Sequence, residues 1–180
     1  MEYYKKYFEK ISECVNSAVN NLSLFDEAVK LFENLRKSGN KIVLVGNGGS
    51  AAMSSHVSVD FVKVAGVRAI NFNEADLITC FANDYGYQHW VENALEAYAD
   101  AGDLLILISS SGKSSNIINA AVKARSLGMS IITFSGFAGN NPLRSLGDLN
   151  FWADSSEYNT VEMTHHIWLL ALVDRLATLR

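Results

Sequence analysis

The chain has 180 residues, 49% of them hydrophobic, a single proline at Pro142 and a formal charge of −4. That suffices for one domain, residues 1–180, with a substantial core, and leaves no stretch that reads as a linker or disordered tail. Scattered Lys and Arg, a longest apolar run of only residues 167–173 and no signal-peptide core argue against nucleic-acid and membrane partners, so the chain reads as cytoplasmic.

Along the chain, residues 1–40 carry helical spacing. Tyr4, Phe8, Ile11 and Val15 recur at three- and four-residue steps, and so do Phe25, Val29, Phe32 and Leu35. Ser38, Gly39 and Asn40 stop the second helix. Cys14 and Cys80 sit in apolar contexts and are expected as buried free thiols.

The period then changes. Short, nearly unbroken apolar runs at residues 42–45, 68–72, 104–108, 131–134 and 149–152 suit strands of a parallel sheet buried on both faces. Helical segments are predicted between and after them, over 51–64, 87–99, 115–127 and 159–179. The alternation predicts an α/β fold, a doubly wound five-stranded parallel sheet flanked by helices, with two further helices at the N-terminus. Such sheets bind ligands off the carboxyl ends of their strands.

Two Gly/Ser loops fall at that place. Residues 46–50, "GNGGS", follow the first strand, and residues 109–115, "SSSGKSS", follow the third; each opens a helix. Glycines let backbone N–H groups approach a ligand, serines add hydroxyl donors, and a helix N-terminus favours an anion. A serine-rich loop of this kind suits a phosphate monoester. Neither loop is GxxxxGK[ST], which turns the reading away from nucleotides. Lys113 could add charge to the phosphate or point to solvent. His89 is expected at the surface or at an interface, and Trp90, Trp152 and Trp168 in packing.

The stretches "GNGGSAAMSSH" (46–56), "FANDYGY" (81–87) and "ISSSGKSSNIINAA" (108–121) resemble the sugar isomerase (SIS) domain family and, more narrowly, the phosphoheptose isomerases. The resemblance implies aldose–ketose isomerisation of sedoheptulose 7-phosphate, or a related sugar phosphate, through an enediol. It places the phosphate on Ser50, Ser109, Ser110, Ser111 and Ser114, sugar contacts on Asn47 and Gly48, and a carboxylate for substrate hydroxyls on Asp84. It also implies a homotetramer with sites at subunit interfaces, in which residues 1–40 serve oligomer packing.

In the same family, the helix after "GNGGS" carries a His and a Glu four residues on, and the last helix reads Gln-Glu-x-His-x4-His. The first His, the Glu, the Gln and the last His bind zinc; the Glu and the last His act as base and acid. Here His56 and Asp60 stand at the first pair, on one helix face. Asp is a methylene shorter than Glu, and misplacement of that size can cost on the order of a hundredfold in rate. Residues 159–174 read "NTVEMTHHIWLLALVD", so the final His falls on Leu169 or Leu170, depending on register. Glu162 and His166, again on one face, could complete a remodelled zinc or acid–base cluster with His56 and Asp60. In that cluster Asp60 is the expected base and His166 its catalytic partner, with His165 an alternative ligand or acid. A second reading is a non-catalytic SIS protein that binds a sugar phosphate or a protein partner as a scaffold or sensor.

Overall fold

The alternation of side chains along the strands decides the architecture. In the computed structural model, which describes residues 2–179, the five strands form one parallel sheet in the order β2-β1-β3-β4-β5. The strands are β1 (Ile42–Gly46), β2 (Ala69–Asn71), β3 (Leu104–Ser109), β4 (Ser130–Ser135) and β5 (Leu149–Trp152). Leu44, Ile106 and Ile132 pair in one row across the sheet and point to one face. Val43, Leu105 and Ile131 form the adjoining row and point to the other. Both rows are buried, so the central strands are apolar at nearly every position, and buried Thr133 of β4 binds Asn150 Oδ1 through its hydroxyl.

Seven helices accompany the sheet: α1 (Glu2–Asn16), α2 (Leu22–Ser38), α3 (Gly49–Lys63), α4 (Ala75–Tyr85), α5 (Trp90–Tyr98), α6 (Ser115–Ser126) and α7 (Tyr158–Ala177). Helices α2, α3 and α7 cover the first face, where Phe32, Phe61, Phe134, Phe151 and Leu169 are buried. Phe134 stacks on Phe151 at a ring-centroid distance of 4.6 Å, and Phe25 meets Phe151 edge-on. Helices α5 and α6 cover the second face with Trp90, Leu95, Ile117 and Ala121. Each large side chain so enclosed contributes roughly 1.5–3 kcal/mol of burial. Between α1 and α2 the chain makes a 3-10 turn, Ser17–Asn21, and Gly39 ends α2 in the left-handed conformation with its N–H on Leu35 O at 3.0 Å.

Three expectations need correction. The segment before α5 is a helix, α4, which its short, mixed pattern hides: Leu77, Ile78 and Phe81 are only partly buried and no residue of α4 is fully enclosed. Cys14 is buried as expected, whereas Cys80, on the open side of α4, is exposed. Trp152 is only half buried, unlike Trp90 and Trp168. No described helix is long and apolar enough to cross a membrane.

At the edge of the sheet that carries the strands' amino ends, Asp103 is buried beneath Lys41. Its carboxylate accepts from the backbone N–H groups of Lys41 and Asp100, both at 2.9 Å, and pairs with Lys41 Nζ at 2.6 Å. Burial pushes Asp103 upward, yet these donors hold its carboxyl below the usual range. Burial likewise pulls Lys41 down, but Asp100 and Asp103 outweigh it and its pKa is raised.

Candidate active site

The strand order reverses between β1 and β3: the chain winds outward from β1 to β2 on one side and from β3 to β5 on the other. A crevice opens at the carboxyl ends of that strand pair. Both Gly/Ser loops leave the sheet there. A pocket of about 100 Å³ lies between them, lined by Asn47, Ser50, Ser109, Ser110, Ser111 and Ser114, with Tyr158 and Glu162 closing it from α7. That is space for about three waters, a phosphate-sized volume and not a whole sugar. Larger hollows of about 600 and 690 Å³ run between α1 and the segment joining β5 to α7, but they contain none of the loop serines. The chemistry of the lining, and not volume, marks the site.

The loops are built to donate. Ser114 is the N-cap of α6, yet its hydroxyl caps no backbone N–H and instead accepts from Ser109 Oγ at 3.3 Å. The Ser110 hydroxyl is buried without a hydrogen-bond partner, a costly state that an acceptor in the pocket would relieve. Gly112 turns the loop at φ +63°, and a side chain there would collide with Asn141, which is held by Ser135 Oγ, Gly136 O and Ala138 O. Lys113 points to solvent.

Asn47 and Asn116 exchange two amide hydrogen bonds, at 3.0 and 2.9 Å, and so lock the first loop to the start of α6. Tyr87 donates to Asn47 Oδ1 at 3.1 Å. The "YGY" and "SSN" stretches offer a sequence signal for Tyr87 and Asn116; Tyr158, at the start of α7, has none. Asp84 is not brought to the pocket of its own chain. It is exposed on the last turn of α4, with Asn83 Nδ2 at 2.9 Å from its Oδ1.

Farther along α3 and α7, the acid–base candidates meet in pairs. His56 Nε2 lies 3.2 Å from Asp60 Oδ2, and His56 Nδ1 lies 2.9 Å from His166 Nε2. The two imidazoles stand edge to face. Burial pushes the His166 pKa down, the neighbouring His56 adds to this, and Asp60 opposes it. With His166 neutral and the Nε2–H of His56 donated to Asp60, His56 Nδ1 accepts from His166 Nε2–H, giving one hydrogen-bonded chain.

Glu162 stands apart from that chain. Among the described residues its side chain makes no hydrogen bond or ion pair; burial raises its pKa, and its carboxylate packs against Gly49 at the N-terminus of α3. A β-carbon on residue 49 would come within 2.8 Å of Glu162 Cδ. His165 is excluded from the site. It is fully buried, its Nε2–H donates to Ser135 O at 2.9 Å, and burial lowers its pKa to about 4, so it stays neutral. The same turn of α7 puts Leu169 in the core, and Leu170 packs against that core half-buried. His89 binds Glu92 at 2.6 Å at the start of α5, outside the pocket.

The four residues expected to hold zinc do not form a ligand set as they stand. Both ring nitrogens of His56 are committed, to His166 and to Asp60, and the Glu162 carboxylate is directed at Gly49. Among the described residues no three His, Cys, Asp or Glu side chains are arranged to hold a metal ion.

Comparison with known proteins agrees with this architecture. The SIS domain family matches residues 6–136. The phosphoheptose isomerase of Aliarcobacter butzleri is 36% identical over 146 residues, covering 78% of this chain and 77% of the relative. That of Glaesserella parasuis is 30% identical over 176 residues, covering 90% and 91%. The structure of the phosphoheptose isomerase from Neisseria gonorrhoeae superposes with a TM-score of 0.90 at 26% identity over 98% of both chains. The chain belongs to the SIS domain family and, within it, to the phosphoheptose isomerases.

Proposed function

We propose that this protein isomerises sedoheptulose 7-phosphate to the aldoheptose 7-phosphate through an enediol, in heptose metabolism that feeds lipopolysaccharide or capsule synthesis. The observation that carries this reading is the serine-lined pocket at the β1/β3 crevice with an Asp60–His56–His166 chain beginning one to two turns along α3. Ser50 and His56 are six residues apart on α3, a rise of about 9 Å. A seven-carbon chain held by its terminal phosphate at the loops therefore extends along α3 and brings its C1–C2 end toward the imidazoles.

The phosphate is held by Ser50, Ser109, Ser110, Ser111 and Ser114, and Asn47 and Gly48 contact the sugar. Isomerisation moves one proton at carbon and another between the oxygens on C1 and C2. Asp60 and His166 act as an acid–base pair coupled through His56. Asp60 orients His56 through its contact with Nε2, and His166 presents a nitrogen to the substrate oxygens.

The active assembly is a homo-oligomer, a tetramer with sites at subunit interfaces. Tyr3, Tyr4 and Phe8 are exposed along α1, and α4 buries none of its side chains within one chain, which supports packing of these helices against other copies. An interface also gives Asp84 and His89 a neighbouring pocket to serve. The charged substrate does not cross a membrane unaided, so the enzyme works in the cytoplasm.

The test is NMR of sedoheptulose 7-phosphate with the purified protein in deuterium oxide, with the metal content of the same sample measured. Aldose signals carrying solvent deuterium on the carbon next to the carbonyl are expected. Binding without turnover or exchange would instead make this a non-catalytic sugar-phosphate sensor.

A further inference from the structure

We infer that Tyr87 is a positioning residue for phosphate binding: it fixes the sense of the Asn47–Asn116 amide pair, so that Asn47 turns an N–H and not a carbonyl to the substrate. The inference rests on the sugar-phosphate reading above and uses none of the acid–base residues.

Counting donors and acceptors leads to it. Asn47 Oδ1 accepts from Asn116 Nδ2 at 2.9 Å and from Tyr87 Oη at 3.1 Å, which uses both of its lone pairs. Asn47 Nδ2 donates one proton to Asn116 Oδ1 at 3.0 Å. Its second N–H makes no hydrogen bond among the described residues, and Asn47 lines the pocket beside the loop serines. That N–H is what the side chain has left to offer an incoming ligand.

The two asparagines alone would not settle this. A paired amide is self-complementary: reversing both groups together restores both bonds and turns the Asn47 carbonyl outward. Asn116 is buried, so a neighbouring side chain and not solvent must choose between the two senses. Tyr87 breaks the tie, because in the reversed pair its hydroxyl proton would lose its acceptor and face an N–H group. The ligand makes the choice matter. A phosphate ester carries strong acceptor oxygens and, as the dianion, no donor, so an N–H attracts it and a carbonyl repels it.

Tyr87 is held in place for this. It follows Gly86, which leaves α4 at φ +85°, and a β-carbon on residue 86 would come within 3.0 Å of the Gln88 amide. Gln88 O accepts from Asn119 Nδ2 at 2.9 Å. The turn between α4 and α5 is thus pinned to α6, the same helix whose second residue is Asn116.

The experiment measures the Kd of sedoheptulose 7-phosphate and of inorganic phosphate by calorimetry on wild type, Tyr87→Phe, Asn47→Ala and the double variant. Y87F weakens both ligands by about tenfold, and N47A by about ten- to a hundredfold, as expected for a hydrogen bond to a charged group. In the double variant, Y87F adds less than about twofold to N47A, because Tyr87 acts through the amide that has been removed. In 15N-labelled wild type, the Asn47 Nδ2 signals, identified by their loss in N47A, shift when inorganic phosphate is added, and in Y87F that shift at saturation shrinks. A Y87F effect that persists in full beside N47A overturns the inference and makes Tyr87 a direct ligand contact. A Y87F variant that binds both ligands as tightly as wild type also overturns it, as do Nδ2 signals that phosphate leaves unmoved. A wild type that binds neither ligand overturns the sugar-phosphate reading itself, and the inference with it.

Discussion

Nδ1 of His56 lies 2.9 Å from Nε2 of His166, joining α3 to α7 across 110 residues of chain. One imidazole alone would be an exposed side chain on a helix. Two in contact, one of them oriented by Asp60, can pass a proton. Replacing His166 by Asn should lower kcat by about 10²–10⁴-fold while thermal unfolding changes little, since the pair is half exposed. Steady-state kinetics and a melting curve on the same preparation check both halves.

The orphaned hydroxyl of Ser110 makes a prediction of opposite signs. A buried, unpaired hydroxyl costs about 1–3 kcal/mol, so Ser110→Ala should leave the free protein as stable as wild type or up to about 1 kcal/mol more stable. The same change removes a donor to the phosphate and should raise the Kd for sugar phosphate by roughly tenfold. Unfolding in denaturant with and without sedoheptulose 7-phosphate reads both effects.

Gly49→Ala tests the closeness of α3 and α7. An added β-carbon would overlap the Glu162 carboxylate, which is the end of a flexible side chain and can withdraw without unfolding the protein. Alanine suits a helix, so stability should hold or rise. Turnover should fall by about a hundredfold as the phosphate pocket that Glu162 and Ser50 border is displaced. Kinetics and far-UV circular dichroism distinguish this outcome from misfolding.

Asp103→Asn breaks the buried pair at the far edge of the sheet and should destabilise the fold by about 3 kcal/mol. The pH dependence has a definite sign. The folded-state pKa of Asp103 is depressed, so its contribution is present above the ordinary carboxylate value and is lost as pH falls below it toward the folded value. The raised pKa of Lys41 makes its contribution present below about 10.5 and lost as pH rises through the folded value. Chemical denaturation across pH should show wild type losing stability below about pH 4. D103N, already weaker, should show a shallower acid limb. Activity per folded molecule should not change, because the pair lies at the end of the sheet opposite the pocket.

Much of the fold could be read from the chain because its signals are local. Unbroken runs such as Leu104 to Ile108 can be satisfied only in a strand buried on both sides, and a Gly/Ser loop after each of two strands leaves little choice of where a ligand sits. The helix at Ala75–Tyr85 is not legible in the chain because it buries nothing fully within one chain, so no clean periodicity is imposed on it. Cys80 is exposed for the same reason.

The last helix shows the limit of sequence reasoning most plainly. "THHIW" offers two adjacent histidines, and spacing alone leaves both open. Their side chains leave α7 about 100° apart, and only packing decides what each one meets. His165 meets Phe134, Trp168 and the Ser135 carbonyl and becomes a neutral core residue; His166 meets His56.

The sequence by itself determined the fold class, the two phosphate-type loops and the i, i+4 pairs on α3 and α7, because periodicity, turn chemistry and helix geometry act over a few residues. Only the tertiary structure decided which members of those pairs face one another. It joined His56 to His166, set Glu162 against Gly49 in the pocket, enclosed Leu169 in the core and left Asp84 outside. Those outcomes depend on how α3 and α7 pack side by side on one face of the sheet, a relation between segments a hundred residues apart that no local pattern encodes.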